Sequence, residues 1–210
     1  MPKLRITYNA PVVLTFALAA VAVFIVTRIA PSTMGWFEAW PRLDDARSYV
    51  GLFSHILGHK DWTHLISNFM LILLIGPILE ERHGSRSLLI MILLTAVMTG
   101  LTNLLFSTGI ILGASGIVFM MILLASMANM RAGEIPLTFI AIAIIYLGGE
   151  IVRSFHEDNI SQLAHLVGGV AGAAFGFLAA GVKRGAKKPT PAKAPAAELQ
   201  KLLGGKSKAG

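Results

Sequence analysis

Three groups of polar residues interrupt long apolar stretches of the chain, and their side chains are types that can do chemistry. Hydroxyl and imidazole groups serve in nucleophilic and acid–base catalysis. The three groups are His64 with Asn68, the stretch Gly113-Ala114-Ser115-Gly116, and His165 with Gly168 and Gly172. Each group alone also fits a packing role: a helix-packing hydrogen bond, a contact between small residues, or glycine packing beside an incidental histidine.

The spacing within these groups indicates helical faces. His64 and Asn68 are four residues apart and share one face of a helix. His165 begins a series that continues with glycine at 168, 172 and 176, which again is one face. Glycines let a neighbouring backbone come close, so we expect Gly116 to admit this face and to bring His165 near Ser115. We expect Gly113 to keep the loop clear for a substrate strand.

The composition is that of an integral membrane protein. Of the 210 residues, 55% are hydrophobic and 14% are charged, whereas soluble domains carry about 25% charged residues. The mean hydropathy is +0.70. The absence of cysteine excludes disulfides and cysteine-ligated metals.

The apolar segments predict an all-α membrane protein, a bundle of six transmembrane helices. A span needs about 20 residues, and six segments approach or reach that length: Ala10–Ile29, Thr63–Leu79, Ser87–Phe106, Ser115–Met130, Ile135–Ile151 and Leu163–Val182. The second, fourth and fifth are short, which indicates helix ends buried in protein or facing a watery cavity.

The charge distribution predicts the topology. Most of the 18 lysines and arginines fall in the loops and the C-terminal tail that would be cytoplasmic if both termini are cytoplasmic. This orientation puts the polar groups of spans two, four and six at one depth, toward the outer side. The formal charge of +7 does not indicate nucleic-acid binding, because no basic patch is interleaved with aromatic residues.

The chain divides into three parts by composition. Residues 1–9 are a cytoplasmic N-terminus, residues 10–182 form the membrane domain, and residues 183–210 are a basic tail expected to be disordered and able to contact anionic lipid. Within the domain, residues 31–62 form an outer loop, and its Trp36, Phe37 and Trp40 predict an interfacial position. The first span could be a signal peptide, but its length and the poor cleavage context at Arg28–Pro31 favour a retained helix.

Together these motifs resemble the rhomboid intramembrane serine proteases. The matching residues are His64 and Asn68 in span two, Gly113, Ser115 and Gly116 at the start of span four, and Ala164, His165, Gly168 and Gly172 in span six. The family's histidine-rich lead-in is present as His55 and His59, and its inner-loop Glu-x-Arg element as Glu80 and Arg82, followed by Gly84. The resemblance covers the chain from Tyr49 to Gly176.

The resemblance implies a Ser–His dyad without a carboxylate. Ser115 is then the nucleophile and His165 the general base, and the oxyanion donors are the Ser115 N–H, His64 and Asn68. It implies no cofactor and no metal. The partners implied are the transmembrane segments of substrate proteins and the lipid bilayer. The implied location is the inner membrane, with both termini cytoplasmic and a site opening to the periplasmic or extracellular side.

Two positions depart from the family pattern. The family's Trp-Arg pair in the first outer loop is absent from its place, where Val50 and Gly51 stand; the segment Trp40–Arg42 or Arg47 could replace it. The tyrosine that often follows the serine by four residues is Phe119, which can stack on the histidine but cannot form its hydrogen bond.

Three alternatives remain open at this stage. A metal site could use His55, His59 and His64, although no H-E-x-x-H motif accompanies them. A transporter could use Glu150 and Arg153, although their spacing favours an interfacial ion pair. A rhomboid-like binding protein without activity is the third, and such proteins are expected to lose the serine or the histidine.

Overall fold

A computed structural model describes residues 7–127, 135–142, 144–145 and 160–185. The α-helices with complete bounds are α1 (Pro11–Ile29), α2 (Ala46–Ser54), α3 (Trp62–His83), α4 (Ser85–Phe106), α5 (Ser115–Ser126) and α6 (Ile160–Gly185). Two 3-10 helices, Pro31–Phe37 and His55–Leu57, flank α2. Among the described residues, β-type backbone pairing is limited to one isolated bridge between Ala39 and Ile111. The predicted all-α membrane fold is confirmed.

Helices lie in the predicted spans, although α5 ends at Ser126 where the fourth span was predicted to continue to Met130. The helices α1, α3 and α4 are long and apolar enough to cross a membrane, while α5 and the part of α6 from His165 to Gly176 are shorter apolar helices. The predicted fifth span falls mostly outside the described residues, but 137–142 and 144–145 are helical. Most of the predicted basic tail also lies outside the described residues.

The second span is longer than predicted. We expected it to end at Leu79, but α3 has 22 residues and continues to His83. The carboxylate of Glu80 accepts hydrogen bonds from the backbone N–H groups of Val12 and Val13, both at 3.0 Å. These bonds satisfy a buried charge and occupy donors that the start of α1 would leave unpaired. Arg82, the other member of the Glu-x-Arg element, is exposed.

The helix α5 is the centre of the bundle. Every residue from Gly116 to Leu124 is buried, and Ile117, Met120 and Met121 are at most 1% exposed. The helix packs against α3, α4 and α6. Because a helix this enclosed has little freedom to shift, its first residue, Ser115, has a fixed position relative to its neighbours.

The outer loop exposes apolar side chains. In α2, Tyr49, Val50 and Phe53 are exposed while Ser48 and Gly51 are buried. An apolar outer face suits the membrane interface that the sequence predicts for this loop. The backbone groups of Ala39 and Ile111 exchange two hydrogen bonds, of 2.9 and 3.1 Å, which tie the loop to the segment that leads into α5.

The backbone of the outer loop comes close to Gly51. A Cβ atom at this position would collide with the carbonyl group of Glu38 and would lie 3.5 Å from Cα of Ala39. A larger residue at position 51 would therefore require the loop backbone to move. An arginine side chain does lie against a tryptophan elsewhere in the loop, since the Arg42 guanidinium is 5.0 Å from the centre of the Trp40 ring.

Candidate active site

The polar residues singled out in the sequence meet at one cavity. Ser115 of α5, His165 of α6, and His64 and Asn68 of α3 all line a cavity of about 750 Å³. The remaining lining residues are Lys60, Asp61, Thr63, Ser67, Ile110, Ile111 and Leu112. The three groups, which are far apart in the sequence, therefore lie together in space.

Ser115 is the first residue of α5 and is half-buried. The preceding residue, Ala114, offers no side-chain cap. The first backbone bond of the helix runs from the Val118 N–H to the Ala114 carbonyl, at 3.0 Å, so the N–H groups of residues 115–117 have no partner within the helix. Such a helix start favours a negative charge beside the serine.

Gly113 makes room for His64, a contact that our expectation for this glycine did not include. Its φ of +115° is one that residues with side chains rarely adopt. A Cβ atom here would lie 2.5 Å from Nε2 of His64 and 3.6 Å from Nδ2 of Asn68. The space beside Gly113 is thus filled by the His64 ring. A residue without a side chain is needed at position 113, because the His64 ring from α3 lies directly against the loop.

The helices α5 and α6 pack through glycines, as predicted. A Cβ atom on Gly168 would lie 2.8 Å from the carbonyl carbon of Gly116. The next glycine of the series, Gly172, faces the backbone of Met120 in the same way, at 2.9 Å from its Cα. We call these contacts the glycine seam. Because the seam brings the two backbones together, His165 reaches the cavity that Ser115 lines.

The ring of His165 stacks on Phe119. The ring centres are 4.7 Å apart and the planes differ by 5°. Phe119 stands one helical turn after Ser115 on α5, so the stack holds the imidazole over the turn that begins with the serine. The predicted stacking role of Phe119 is confirmed.

The donors on α3 are held by a helix cap and by a buried histidine. The carboxylate of Asp61 accepts the backbone N–H of His64 at 2.7 Å, and this bond lowers the pKa of the Asp61 carboxyl. One turn later, the Nδ2 of Asn68 donates to Nε2 of His59 at 3.2 Å. The Nδ1 atom of His64 is buried without a hydrogen-bond partner among the described residues.

The sequence interpretation missed the supporting roles of two of these residues, Asp61 and His59. Asp61 could have been found, because an aspartate three residues before His64 at the start of an apolar run is a typical N-cap signature. His59 was noted as part of the histidine-rich lead-in and as a possible metal ligand. Its contact with Asn68 depends on the path of residues 58–61, which no local pattern indicates.

His55 and His59 use their ring nitrogens within the protein. His55 Nδ1 donates to the Gly51 carbonyl at 3.0 Å, and its Nε2 accepts from the Thr99 hydroxyl at 3.1 Å. Burial lowers the pKa of both histidines to about 4. In the part of the chain that the structure describes, no group of three histidine or acidic residues is arranged to hold a metal ion. Glu150 and Arg153, the transporter candidates, lie outside the described residues.

Comparison with known proteins gives one consistent family. The Rhomboid domain model matches residues 46–181. The chain is 25% identical over 171 residues to rhomboid protease GlpG of Serratia proteamaculans, covering 77% of this chain and 59% of that protein. It is 26% identical over 179 residues to rhomboid protease GlpG of Yersinia enterocolitica, covering 80% and 62%.

A third relative comes from an animal. The chain is 32% identical over 138 residues to rhomboid-related protein 1 of Caenorhabditis elegans, covering 60% of this chain and 38% of that protein. The chain thus spans less than two thirds of the length of each of these relatives.

Proposed function

Because the chain belongs to the rhomboid family, we propose that it is an intramembrane serine endopeptidase that cleaves transmembrane segments of other membrane proteins. The observation that carries this proposal is the cavity lined by Ser115, His165, His64 and Asn68. A serine, an imidazole and two further side-chain donors facing one cavity are the groups that acyl transfer needs.

In the proposed reaction the Ser115 hydroxyl attacks the substrate carbonyl carbon. His165 accepts the hydroxyl proton and then gives it to the leaving amine, which produces an acyl-enzyme. Water enters through the cavity, and His165 activates it to release the acyl group. The stack on Phe119 supports this assignment, because it limits rotation of the imidazole.

The oxyanion that forms on the carbonyl oxygen needs preorganised donors. The backbone N–H of Ser115 has no helix partner and is the first proposed donor. His64 and Asn68 are the side-chain donors, and both nitrogens lie against Gly113, two residues before the serine. Removal of one such donor in a serine protease costs about 100- to 1,000-fold in rate.

The proposed substrate is an extended or partly unwound peptide, because a helical carbonyl is engaged in its own hydrogen bonds. Small residues at the cut and helix-breaking residues nearby favour such a conformation. We place the protein in the inner membrane with both termini in the cytoplasm and the cavity open to the outer side, as the lysine and arginine distribution predicts.

A fluorophosphonate probe on the detergent-solubilised full chain tests the assignment. We expect wild type to be labelled, Ser115→Ala to be unlabelled and His165→Ala to be labelled far more slowly. Ser67→Ala is the matched control, because Ser67 lines the same cavity and donates to the His64 carbonyl at 3.1 Å. Its labelling should equal that of wild type.

The alternatives give different results in the same assay. If the protein is a rhomboid-like protein without activity, folded wild-type protein will not be labelled. Labelling of Ser115→Ala at the wild-type rate contradicts the nucleophile, and an unchanged rate in His165→Ala contradicts the general base. Cleavage that is lost on addition of a chelator favours a metal site instead.

A further inference from the structure

A buried histidine outside the proposed dyad contacts one of the proposed oxyanion donors. His59 has no exposed surface and lies in the short connection between the 3-10 helix His55–Leu57 and α3. One ring nitrogen faces a backbone carbonyl, that of Leu57, at 3.1 Å, and the other faces the side-chain amide of Asn68, at 3.2 Å. The ring is also packed edge-on against His64, with centres 5.0 Å apart.

The two partners of His59 determine its tautomer. A carbonyl oxygen can only accept, so Nδ1 of His59 must carry the proton that it donates to Leu57. Burial lowers the pKa of the ring to about 4, so the ring is neutral at ordinary pH. A neutral imidazole with a proton on Nδ1 has an acceptor at Nε2. The nitrogen that faces Asn68 therefore carries a lone pair and accepts a hydrogen bond.

The tautomer in turn determines how the Asn68 amide is turned. The lone pair on Nε2 attracts the NH2 group of Asn68 and repels its carbonyl oxygen, so the amide presents Nδ2 to the histidine. An amide nitrogen carries two protons, and only one is used by His59. Nδ2 also lies near Gly113, and Asn68 lines the cavity. The second N–H is therefore not used by His59, and it belongs to a side chain that lines the same cavity as Ser115.

We propose that His59 is a positioning residue that fixes the orientation of the Asn68 amide so that its N–H, and not its oxygen, faces the oxyanion. This inference rests on the proposed function, because it gives His59 a role through a proposed donor. With the amide turned over, the carbonyl oxygen of Asn68 would face the developing negative charge and raise the barrier.

The test uses the rate constant of fluorophosphonate labelling in a double-mutant cycle. His59→Leu removes the acceptor and should lower the rate about 10- to 100-fold, less than the loss of a whole donor. His59→Gln restores an acceptor and should recover most of the wild-type rate. In an Asn68→Leu background, His59→Leu should cause no further loss, because both changes disable the same donor.

A packing control separates positioning from general loss of structure. Phe69 lies 5.7 Å from the His59 ring and does not belong to the cavity lining. Phe69→Leu should lower the melting temperature without slowing labelling more than about 2-fold, since it loosens packing alone. All variants are compared at a temperature where their melting curves show folded protein.

The outcomes distinguish this inference from the proposed function. Suppose that wild type is labelled and that His59→Leu slows labelling in the Asn68→Leu background as much as it does in wild type. This result overturns the role of His59 and leaves the Ser115 assignment intact. Failure of His59→Gln to recover the rate, in a folded protein, also overturns it. Folded wild type that does not label overturns the proposed function and this inference together.

Discussion

The candidate site has two halves that are positioned by different physical means. The half formed by α5 and α6 carries Ser115 and His165 and is held by the glycine seam, where backbone meets backbone without polar side chains. The half formed by residues 55–68 carries the donors and is held by hydrogen bonds of buried histidines and an aspartate cap. We therefore expect substitutions that add side-chain volume to disturb the first half, and substitutions that remove hydrogen-bonding groups to disturb the second.

The largest effect is expected from a change of polarity in a side chain of the same branching. Asn68→Leu keeps the number and branching of the side-chain heavy atoms and removes one donor, and should slow fluorophosphonate labelling about 100- to 1,000-fold. Labelling kinetics measure the change. A loss of less than about 5-fold would mean that Asn68 is not a donor and that the polar half serves packing alone.

The next effect is expected from a single methyl group in the glycine seam. Gly168→Ala places a Cβ atom against the Gly116 backbone, which must push α6 away from α5. A displacement of about 1 Å can cost about 100-fold in rate. Ala174→Val adds volume at an exposed position of the same helix and should change neither rate nor melting temperature. Equal rates for Gly168→Ala and wild type would contradict the seam's role.

A third prediction concerns pH and affects the polar half only. Burial lowers the pKa of His55 and His59 to about 4, whereas a histidine in an unfolded chain titrates near 6.5. As the pH falls through this window the unfolded chain takes up protons first, so the contribution of these two histidines to stability decreases between about pH 6.5 and 4 and levels off below. Glu38, whose pKa is raised by burial, acts in the opposite direction as a single group.

Melting temperatures of the detergent-solubilised protein across pH 7 to 4 measure this dependence. His59→Gln removes one of the two titrating groups and should make the decrease shallower. The seam residues Gly116, Gly168 and Gly172 carry no titratable group, so Gly168→Ala should shift the whole curve without changing its slope. A melting temperature that rises as the pH falls would contradict the neutral buried histidines.

The smallest effect is expected at the stack between Phe119 and His165. Phe119→Tyr keeps the aromatic stack on His165 and should change labelling by less than about 2-fold. Phe119→Leu removes it and should cost about 2- to 10-fold, because an aromatic pair is worth about 0.5–1.5 kcal/mol. Labelling at several probe concentrations measures both. If Tyr slows labelling as much as Leu does, the stack is not what positions the imidazole.

The sequence predicted the seam half of the site better than the polar half. Glycine at three- and four-residue spacing is a pattern with one structural meaning, close helix packing, so the approach of Gly168 to Gly116 could be predicted. The start of α5 at Ser115 was also predicted, since glycine and a hydroxyl residue before an apolar run indicate a helix start. Both features depend on local pattern.

The features that were missed depend on residues distant in the chain. The extension of α3 past Leu79 needs Glu80 to meet the N–H groups of α1, 67 and 68 residues away in sequence. A span predicted from hydropathy ends at the first charged residue, here Glu80, and hydropathy carries no information about a distant hydrogen-bond partner. The contact between His59 and Asn68 likewise depends on the fold of a short connection. The sequence pattern therefore indicates which residues carry the chemistry, whereas long-range hydrogen bonds determine the orientation of their side chains.

The most direct test of the central claim is to map the labelled residue by peptide mass spectrometry after fluorophosphonate treatment of the full chain. The account predicts a single adduct on Ser115, absent in Ser115→Ala and unchanged in Ser67→Ala. An adduct on Ser67, or an adduct that persists at the wild-type rate in Ser115→Ala, would contradict Ser115 as the nucleophile.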